Sequence, residues 1–314
     1  MGFIPMPKFL IIKPSSLGDI IHGLQVVQSL RDQLPGADIT WVAGDGFAPL
    51  VEACSTTDKT LIFRRKAGVS GFFKLVQEIR AERYDAIIDM QGLARSALMT
   101  FFGRAARKLG RRDAREGASF FYDGRPSLPS GGRGSHAVEI LLEFLPMLDL
   151  EAQLGSALRF QHDPEWECPW GDARPLLLFP NSRRKEKEWP YFTELVGLLF
   201  ERGWAGPIAW VGQEALPVLG NWPEDRFYNL IGKTGLVELP RLIRAAKKVV
   251  SNDSGPMHLA AAMGVPLLAL FGPTEPERFG PYPLDDPKHT VLKAPGGDLS
   301  QLSARAVCDV LLST

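Results

Sequence analysis

Short apolar runs alternate with helical patterns along the first half of the chain. The apolar runs have the length of buried strands and are bounded by polar residues or glycine. The predicted strands are 8–13, 38–43, 59–63, 85–89 and 105–109, and the predicted helices lie near 20–33, 70–82, 94–102 and 136–147. Strands that alternate with helices indicate a parallel sheet covered on both faces.

The same alternation returns in the second half, after an interruption. Residues from about 150 to 174 are rich in Trp, Pro and Asp and show neither period, which predicts a linker. The strands predicted after it are 175–179, 207–211, 227–230, 248–251, 266–271 and 289–292, with helices near 191–202, 236–246, 254–263 and 300–312. We therefore expect an α/β fold with two doubly wound, Rossmann-like domains, 1–150 and 175–314, joined by the linker 151–174. The last helix either stays with the second domain or packs back on the first.

Composition is that of an ordinary globular protein and narrows the choice of partners. The chain has 314 residues, 45% of them hydrophobic, and its 36 basic residues balance 36 acidic ones. No overall field therefore attracts nucleic acid, although a local basic patch is compatible with this balance. We expect no nucleic-acid partner.

Cysteine usage and apolar segments predict the compartment. Cys54, Cys168 and Cys308 lie far apart, which argues against a disulfide framework or a thiolate metal site. The amino terminus lacks a signal-peptide pattern, and the most apolar stretch, 259–271, is too short to span a membrane. We expect a cytoplasmic protein whose contact with any membrane is at most peripheral.

Two strand–loop–helix junctions have features of ligand-binding loops. In residues 251–258, SNDSGPMH, Gly255 allows close approach of backbone to a ligand and Pro256 suits a first helical turn. The free N–H groups of that turn predict a phosphate site. A second junction of this kind, residues 9–24, opens the chain, which suggests two sheets facing a shared cleft.

Other common motifs are incomplete. Gly232-Lys233-Thr234 resembles the end of a P-loop, but Phe227 occupies the place of its first glycine. No G-x-S-x-G sequence occurs, and the five histidines show no metal-ligand spacing. The sequence thus gives no support to a P-loop kinase, a serine hydrolase or a zinc enzyme.

Seven further motifs follow one another over nearly the whole chain. They are KPSSLGDIIH (13–22), DMQGLARS (89–96), REG (115–117), HAVE (136–139), KEWP (187–190), SNDSG (251–255) and FGPT (271–274). In this order they resemble the heptosyltransferase family of lipopolysaccharide synthesis, glycosyltransferase family 9. They are most similar to its heptosyltransferase I branch, which adds the first heptose to Kdo (3-deoxy-D-manno-octulosonic acid) of the inner core.

The resemblance implies a GT-B fold, with the acceptor on the amino-terminal domain and the nucleotide-sugar on the carboxy-terminal one. It also implies an ADP-heptose donor, a lipid-linked Kdo acceptor, transfer with inversion, and no bound metal or other cofactor. With such an acceptor, the expected membrane contact is at most peripheral, on the cytoplasmic face of the inner membrane.

Asp19 is the candidate general base. It opens a helix just after Gly18, where a carboxylate is also favoured simply by the helix dipole. The resemblance aligns it with the catalytic aspartate of the family, which takes the proton of the acceptor hydroxyl. Dipole and solvent are expected to keep it ionised.

Lys187 is the candidate phosphate-binding cation. Its charged run, 183–188, would alone indicate a solvated loop, but the run follows a strand at the edge where doubly wound folds bind ligands. An ammonium there would stabilise the departing ADP, and the resemblance aligns Lys187 with the phosphate-binding lysine of the family. Ser182 is a further candidate donor to phosphate.

The junction near residue 253 supplies further candidates for the donor site. A carboxylate repels pyrophosphate, so Asp253 is expected to cap the helix or to accept sugar hydroxyls, leaving phosphate to the N–H groups of Ser254 and Gly255. His258 is either an assisting donor or a core histidine.

Two residues between these junctions are weaker candidates for the donor site. The resemblance aligns Thr234 with a nucleotide contact, although it equally fits a structural turn. Glu214, after the strand 207–211, would hold the ribose hydroxyls.

Acceptor-binding candidates come from the first half. The resemblance aligns Arg64, Arg65 and Arg115 with basic positions near the acceptor, and guanidinium groups suit the carboxylate of Kdo and the phosphates of its lipid anchor. An ordinary basic surface is the alternative. The remaining candidates are Ser16, Gly18, Gln91 and His22.

The fold alone leaves other functions open. A transferase or epimerase that uses another nucleotide-sugar has the same architecture, and so does a non-catalytic protein that binds nucleotide-sugars.

Overall fold

The computed structural model describes residues 6–161, 168–213, 220 and 222–313. The chain separates into two compact units, Met1–Gln161 and His162–Thr314. Each unit is built on one parallel sheet.

The first unit has a five-stranded sheet in the order β3-β2-β1-β4-β5. Its strands are β1 (Lys8–Ile12), β2 (Asp38–Gly44), β3 (Lys59–Phe63), β4 (Tyr84–Asp89) and β5 (Ala105–Gly110). Its helices are α1 (Leu17–Gln33), α2 (Ala48–Ala53), α3 (Gly68–Arg80), α4 (Ala94–Phe102) and α5 (Ala137–Leu142). The strand order reverses its direction between β1 and β4, and in open parallel sheets ligands bind beyond the carboxyl ends of the strands at such a point.

The apolar residues of the central strands explain the first unit's stability. Side chains alternate between the two faces of a strand, and Leu10 and Ile12 of β1 therefore share one face. On that face they form a buried cluster with Leu75 and Ile79 of α3 and Met99 of α4. Burying each such side chain contributes about 1.5–3 kcal/mol relative to exposure.

The second unit has a six-stranded sheet in the order β11-β10-β9-β6-β7-β8. Its strands are β6 (Leu176–Phe179), β7 (Ile208–Trp210), β8 (Phe227–Asn229), β9 (Lys248–Asn252), β10 (Leu267–Phe271) and β11 (His289–Lys293). Its helices are α6 (Phe192–Glu201), α7 (Leu239–Ala245), α8 (Gly255–Ala262), α9 (Pro276–Phe279) and α10 (Ala304–Ser313). Here the order reverses between β6 and β9.

The core of the second unit includes its last helix. Val307, Cys308 and Leu311 of α10 lie in one buried cluster with Leu178 of β6 and Leu195 of α6. The terminal helix therefore belongs to this unit.

The predicted fold class, two doubly wound α/β domains, is confirmed. Each of the eleven predicted strands is present in the described residues within two residues of its expected bounds. The sequence missed α2 and α9, which are six and four residues long and too short to show a period. The helix expected over 136–147 is shorter, because Pro146 begins a separate 3-10 turn.

Part of the expected linker is bonded into the first unit. Gln161 donates its backbone N–H to Ala53, and Cys54 forms a bridge with Phe160. Ser156 donates to the carboxylate of Asp32 on α1. The segment 151–161 is thereby part of that unit.

Gly110 closes β5 where the ring of Tyr122 lies against the backbone. A Cβ at this position would overlap the ring of Tyr122. The ring is not free to move aside, because its hydroxyl donates to Asp89 at 2.7 Å. Glycine is therefore required here for close approach of a side chain rather than for an unusual backbone angle.

We expect Gly110→Ala to lower the free energy of unfolding by about 1–3 kcal/mol, the usual cost of overpacking a filled site. Urea denaturation followed by circular dichroism measures it. Gly134→Ala is the matched control, since a Cβ there meets no atom within 4 Å. Equal stabilities of the two variants would contradict the close packing of Tyr122 on β5.

Candidate functional site

The loop that follows β1 positions Asp19 at the start of α1. Ser16 is the N-cap of this helix and Asp19 is three residues further on, the spacing of a capping box. The backbone N–H of Ser16 donates to Asp19 Oδ2 at 3.1 Å, and its hydroxyl donates to the same oxygen at 2.7 Å. These bonds fix the carboxylate at the carboxyl edge of the first sheet. Ser16, which was predicted to bind the acceptor, is thus seen to position Asp19.

A buried lysine faces the other oxygen of this carboxylate. Lys13 Nζ lies 3.5 Å from Asp19 Oδ1, and the lysine side chain is 3% exposed whereas that of Asp19 is 44% exposed. Burial raises the pKa of Asp19, but the charge of Lys13 and the hydrogen bonds from Ser16 outweigh it, and the net pKa is lowered. Asp19 is thus an ionised carboxylate that solvent reaches, as a general base must be.

A second carboxylate at this edge has a structural role. Asp89, at the end of β4, is fully buried and accepts hydrogen bonds of 2.9 Å from the backbone N–H groups of Gln91 and Gly92. With the hydroxyl of Tyr122 also donating to it, Asp89 holds the turn that presents Gln91. Burial raises the pKa of Asp89. The Asp-x-x-Gly spacing was visible in the sequence, and Gly92 has the positive φ that this turn needs.

A cavity of about 830 Å³ opens at the same edge, between the beginnings of α3 and α4. Its size is that of a small-molecule site. Apolar side chains form much of its wall, namely Phe47, Phe63, Phe72, Leu98 and Met99. Charged and polar groups join them, namely Arg65, Arg95, Gln91, Asp45 and Glu116. The cavity therefore suits a ligand with both polar and apolar parts.

Two polar groups of this wall are available to a ligand. In the described part of the chain, the side-chain oxygen of Gln91 accepts no hydrogen bond although it is buried. The guanidinium of Arg95 lies over the ring of Phe63, 5.6 Å from its centre. Pro14 and Ser15 also line the cavity, so the loop that leads to Asp19 borders it.

The predicted acceptor residues are partly brought together. Arg65 and Gln91 line the cavity, and Arg64 is exposed beside it. The backbone of Arg115 is bonded to Gly92 at 2.9 Å, next to Gln91. His22 instead lies buried on α1, with its ring edge-on to that of His136 at 5.2 Å.

In the second unit, a lysine and a carboxylate meet at the reversal of strand order. Lys187 follows β6 and Asp253 follows β9. Lys187 Nζ donates to Asp253 Oδ2 at 2.5 Å, and the hydroxyl of Thr274 donates to the same oxygen at 2.6 Å. Sequence reasoning selected Lys187 and Asp253 but missed Thr274, which lies in the FGPT motif after β10.

A buried asparagine fixes the loop that carries Lys187. Asn252 accepts from the backbone N–H of Trp189 at 3.1 Å and donates to the carbonyl of Pro180 at 2.8 Å. The indole of Trp189 donates to the carbonyl of Leu302 at 2.7 Å. The loop is thus fastened at both ends to β9, and the ammonium is held over the end of the sheet. The sequence showed Asn252 within a motif without indicating this role.

The start of α8 forms the other side of this site. Ser254 is its N-cap, and Gly255 and Pro256 begin the helix. The first-turn N–H groups have no acceptor within the helix and carry its partial positive charge. Asp253 does not cap the helix, since its carboxylate is bonded to Lys187 and Thr274. His258 is buried within α8.

Two other predicted donor-site residues, Ser182 and Thr234, lie in loops that follow strands of this sheet. The backbone N–H of Ser182 donates to Glu188 at 2.9 Å. Thr234 lies in the turn after β8, where Gly232 donates to the carbonyl of Gly212 at 2.8 Å. Glu214 lies outside the described residues.

Asn181 is a further candidate that the sequence analysis missed. It directly follows Pro180 at the end of β6, and both polar atoms of its side chain are buried without a hydrogen-bond partner among the described residues. A polar residue directly after a predicted buried strand was the available signal. Its amide is placed to bind a ligand at this edge.

Two kinds of feature are absent from the described residues. Within the described ranges, no group of three or more His, Cys, Asp or Glu side chains is arranged to hold a metal ion. Among the helices in that same part of the chain, none has the length and apolarity needed to cross a membrane.

Comparison with known proteins gives consistent matches over most of the chain. The family model described as glycosyltransferase family 9 (heptosyltransferase) matches residues 72–295. Lipopolysaccharide heptosyltransferase 1 of Escherichia coli O18:K1:H7 is 31% identical, over 96% of this chain and 95% of the relative. The enzyme of the same name from Pseudomonas aeruginosa is 33% identical, over 88% of this chain and 81% of the relative.

A solved heptosyltransferase structure agrees with these sequence matches. The E. coli heptosyltransferase WaaC, solved with ADP-2-deoxy-2-fluoro heptose, superposes with a TM-score of 0.79 and 28% identity, covering 98% of this chain and 99% of that one. The fold class is that of the GT-B heptosyltransferases.

Removal of the Lys13 ammonium should raise the pKa of Asp19, because the lysine charge favours the ionised carboxylate. For Lys13→Met we expect the Asp19 carboxyl to titrate at a higher pH than in the unmodified protein, measured by carbon-13 NMR. Since the folded pKa of Asp19 lies below its ordinary value of 3.8, its stabilising contribution is present above that value and is lost as pH falls through the folded pKa.

Lys59→Met is the control for this titration, because Lys59 belongs to the same unit and pairs with Glu82 at the surface. An Asp19 titration unchanged in Lys13→Met, or shifted equally in Lys59→Met, would remove Lys13 from this role.

Proposed function

The chain belongs to glycosyltransferase family 9, and we propose that it transfers heptose from ADP-heptose to Kdo in the inner core of lipopolysaccharide. The observation that carries this proposal is the setting of Asp19, an ionised and partly exposed carboxylate beside a cavity with basic side chains. The names of the relatives, and the ADP-heptose analogue in the WaaC structure, support the choice of donor and acceptor.

In the proposed reaction, a hydroxyl of the acceptor sugar attacks the anomeric carbon of the donor. The hydroxyl proton passes to the carboxylate of Asp19. The bond between the anomeric carbon and the phosphate oxygen breaks, and ADP leaves with the electron pair. Attack from the face opposite to the leaving group inverts the anomeric configuration. A weak base suffices if the donor carbon is already cationic when attacked, since the proton then leaves late.

We assign stabilisation of the departing ADP to the second unit. An ammonium has three donors, and Lys187 uses one on Asp253, so the others remain for diphosphate oxygens. The first turn of α8 adds N–H groups and a positive dipole end at Ser254 and Gly255. These groups act where negative charge develops, and we propose that they serve without a bound metal or other cofactor.

Asp253 and the remaining polar groups have complementary roles in this proposal. Asp253 Oδ2 accepts hydrogen bonds from Lys187 and Thr274, which leaves Oδ1 to accept a hydrogen bond from a hydroxyl of the donor sugar. Asn181, Ser182 and Thr234 add hydrogen-bonding groups around the nucleotide. Arg65 and Gln91 in the cavity of the first unit bind the carboxylate and hydroxyls of the acceptor.

Calorimetry with a panel of ADP-, UDP- and GDP-sugars tests the donor. Among the sugars of this panel, only ADP-heptose is expected to bind, because the family assignment and the relatives support that donor. Product formation with a Kdo-bearing acceptor, followed by mass spectrometry, tests the transfer. Preferred binding of a UDP- or GDP-sugar would favour another transferase or an epimerase on this fold.

Asp19→Asn keeps the size and some hydrogen bonds of the side chain but removes the base. We expect turnover to fall by about 10²–10⁴-fold, the usual contribution of general base catalysis, with unchanged affinity for ADP-heptose. Steady-state kinetics and calorimetry measure the two effects. Asp172→Asn, at an exposed carboxylate in the other unit, should leave both unchanged. Near wild-type turnover of Asp19→Asn would exclude this base.

Lys187→Met removes the cation assigned to the diphosphate. We expect ADP to bind about 10-fold or more weakly, and transfer to slow as well, because a charge-assisted hydrogen bond to phosphate contributes about 1.5–3 kcal/mol. Calorimetry with ADP measures this. The control is Lys185→Met, since Lys185 lies in the same loop but is exposed and bonded to Glu188. Equal ADP affinities of the two variants would argue against a phosphate contact.

A further inference from the structure

The segment from Arg64 to Lys74 concentrates positive charge on a protein with no net charge. Residues 59–77 contain five lysines and arginines and no acidic residue. Four of these cations are exposed within the segment, namely Arg64, Arg65, Lys66 and Lys74. Within the described residues, the structure records no ion pair for any of the four. Their field is therefore directed to solvent.

The same segment exposes apolar side chains. Val69 is 73% exposed and Phe73 is 53% exposed. They are four residues apart in the first turns of α3 and so lie on one side of the helix, whereas the residues buried in its later turns are Leu75, Val76 and Ile79. The packing of the buried α3 residues within the unit gives no reason for two apolar side chains to be exposed here.

The segment also borders the cavity of the first unit. Arg65, Gly68, Val69 and Phe72 belong to the lining of that cavity, while Phe73 and Lys74 lie outside it. A surface that contacts the exposed side of α3 would therefore lie next to the mouth of the proposed acceptor site.

We propose that residues 64–74 form a docking surface for an anionic lipid bilayer. Charge complementarity favours this occupant: the exposed Arg64, Lys66 and Lys74 face the phosphates of the bilayer, and the exposed apolar pair enters the boundary between headgroups and acyl chains. The inference rests on the proposed function in one respect, since a lipid-linked acceptor requires the enzyme to work at a membrane. Docking at this segment brings the sugar of such an acceptor to the cavity while its lipid stays in the bilayer.

Sedimentation with vesicles tests the docking without donor or acceptor. We expect the protein to bind vesicles of phosphatidylcholine with 30% phosphatidylglycerol, and to bind pure phosphatidylcholine weakly. The double variant Lys66→Gln, Lys74→Gln should bind the anionic vesicles about 25-fold less, at about fivefold for each lysine near the surface. The Phe73→Ser variant should bind these vesicles about fivefold less. The substitution removes the free energy gained when the exposed half of the ring is buried in the bilayer.

Two matched controls locate the effect. Arg305→Gln removes an exposed cation on α10 and should leave vesicle binding unchanged. Phe120→Ser removes a ring that is 90% exposed but lies between Glu116 and Asp123, and it should also have no effect. A loss that is equal in Arg305→Gln, or larger in Phe120→Ser than in Phe73→Ser, would overturn the assignment to this segment. So would binding that does not depend on phosphatidylglycerol, or self-association through Phe73 in place of vesicle binding.

Activity on two forms of the acceptor separates this proposal from the proposed function. With a deacylated, water-soluble Kdo acceptor, Phe73→Ser and the double lysine variant should turn over like the unmodified protein. With the acylated acceptor in vesicles, they should be slower by the factors lost in binding. Turnover of the soluble acceptor without vesicle binding would refute the docking surface and leave the transferase intact. No turnover of either acceptor by the unmodified protein would refute the transferase, while vesicle binding would still be judged on its own.

Discussion

In a parallel sheet every strand delivers its following loop to the same edge, and both candidate sites depend on this constraint. The strand order reverses once in each unit, between β1 and β4 and between β6 and β9. The helices that follow the strands diverge at such a point and leave the edge open to a ligand. Asp19 follows β1 and Lys187 follows β6, so the two residues assigned to catalysis come from corresponding places in the two sheets.

At each of these places a lysine faces a carboxylate, with opposite consequences for chemistry. In the first unit the lysine is the buried partner, and Asp19 remains partly exposed as an anion. In the second unit Asp253 is the more deeply buried partner, and Lys187 retains donors for a ligand. Lys13 keeps Asp19 ionised and in place, and Asp253 does the same for Lys187. The first site therefore presents a base, and the second presents a cation.

The sequence predicted the strands, the two domains and the main candidates, because these depend on local apolar runs and on motifs of a few residues. It could not predict the contacts that position them. Lys187 and Asp253 are 66 residues apart, and Asp89 and Tyr122 are 33 apart, so these pairs follow from packing and not from any period. Asn252 shows the same limit, since its two partners, Pro180 and Trp189, both lie in the distant loop that follows β6. Short helices such as α2 were also missed, because six residues do not define an amphipathic pattern.

The configuration of the transferred sugar bears most directly on the central assignment. A single carboxylate acting as base on the acceptor hydroxyl requires one displacement at the anomeric carbon, with the phosphate leaving from the opposite face. Nuclear magnetic resonance of the product, compared with that of the nucleotide-sugar donor, reports the outcome. Opposite anomeric configurations are expected in donor and product. The same configuration in both would contradict it, because retention would require a different course of reaction from the one assigned to Asp19.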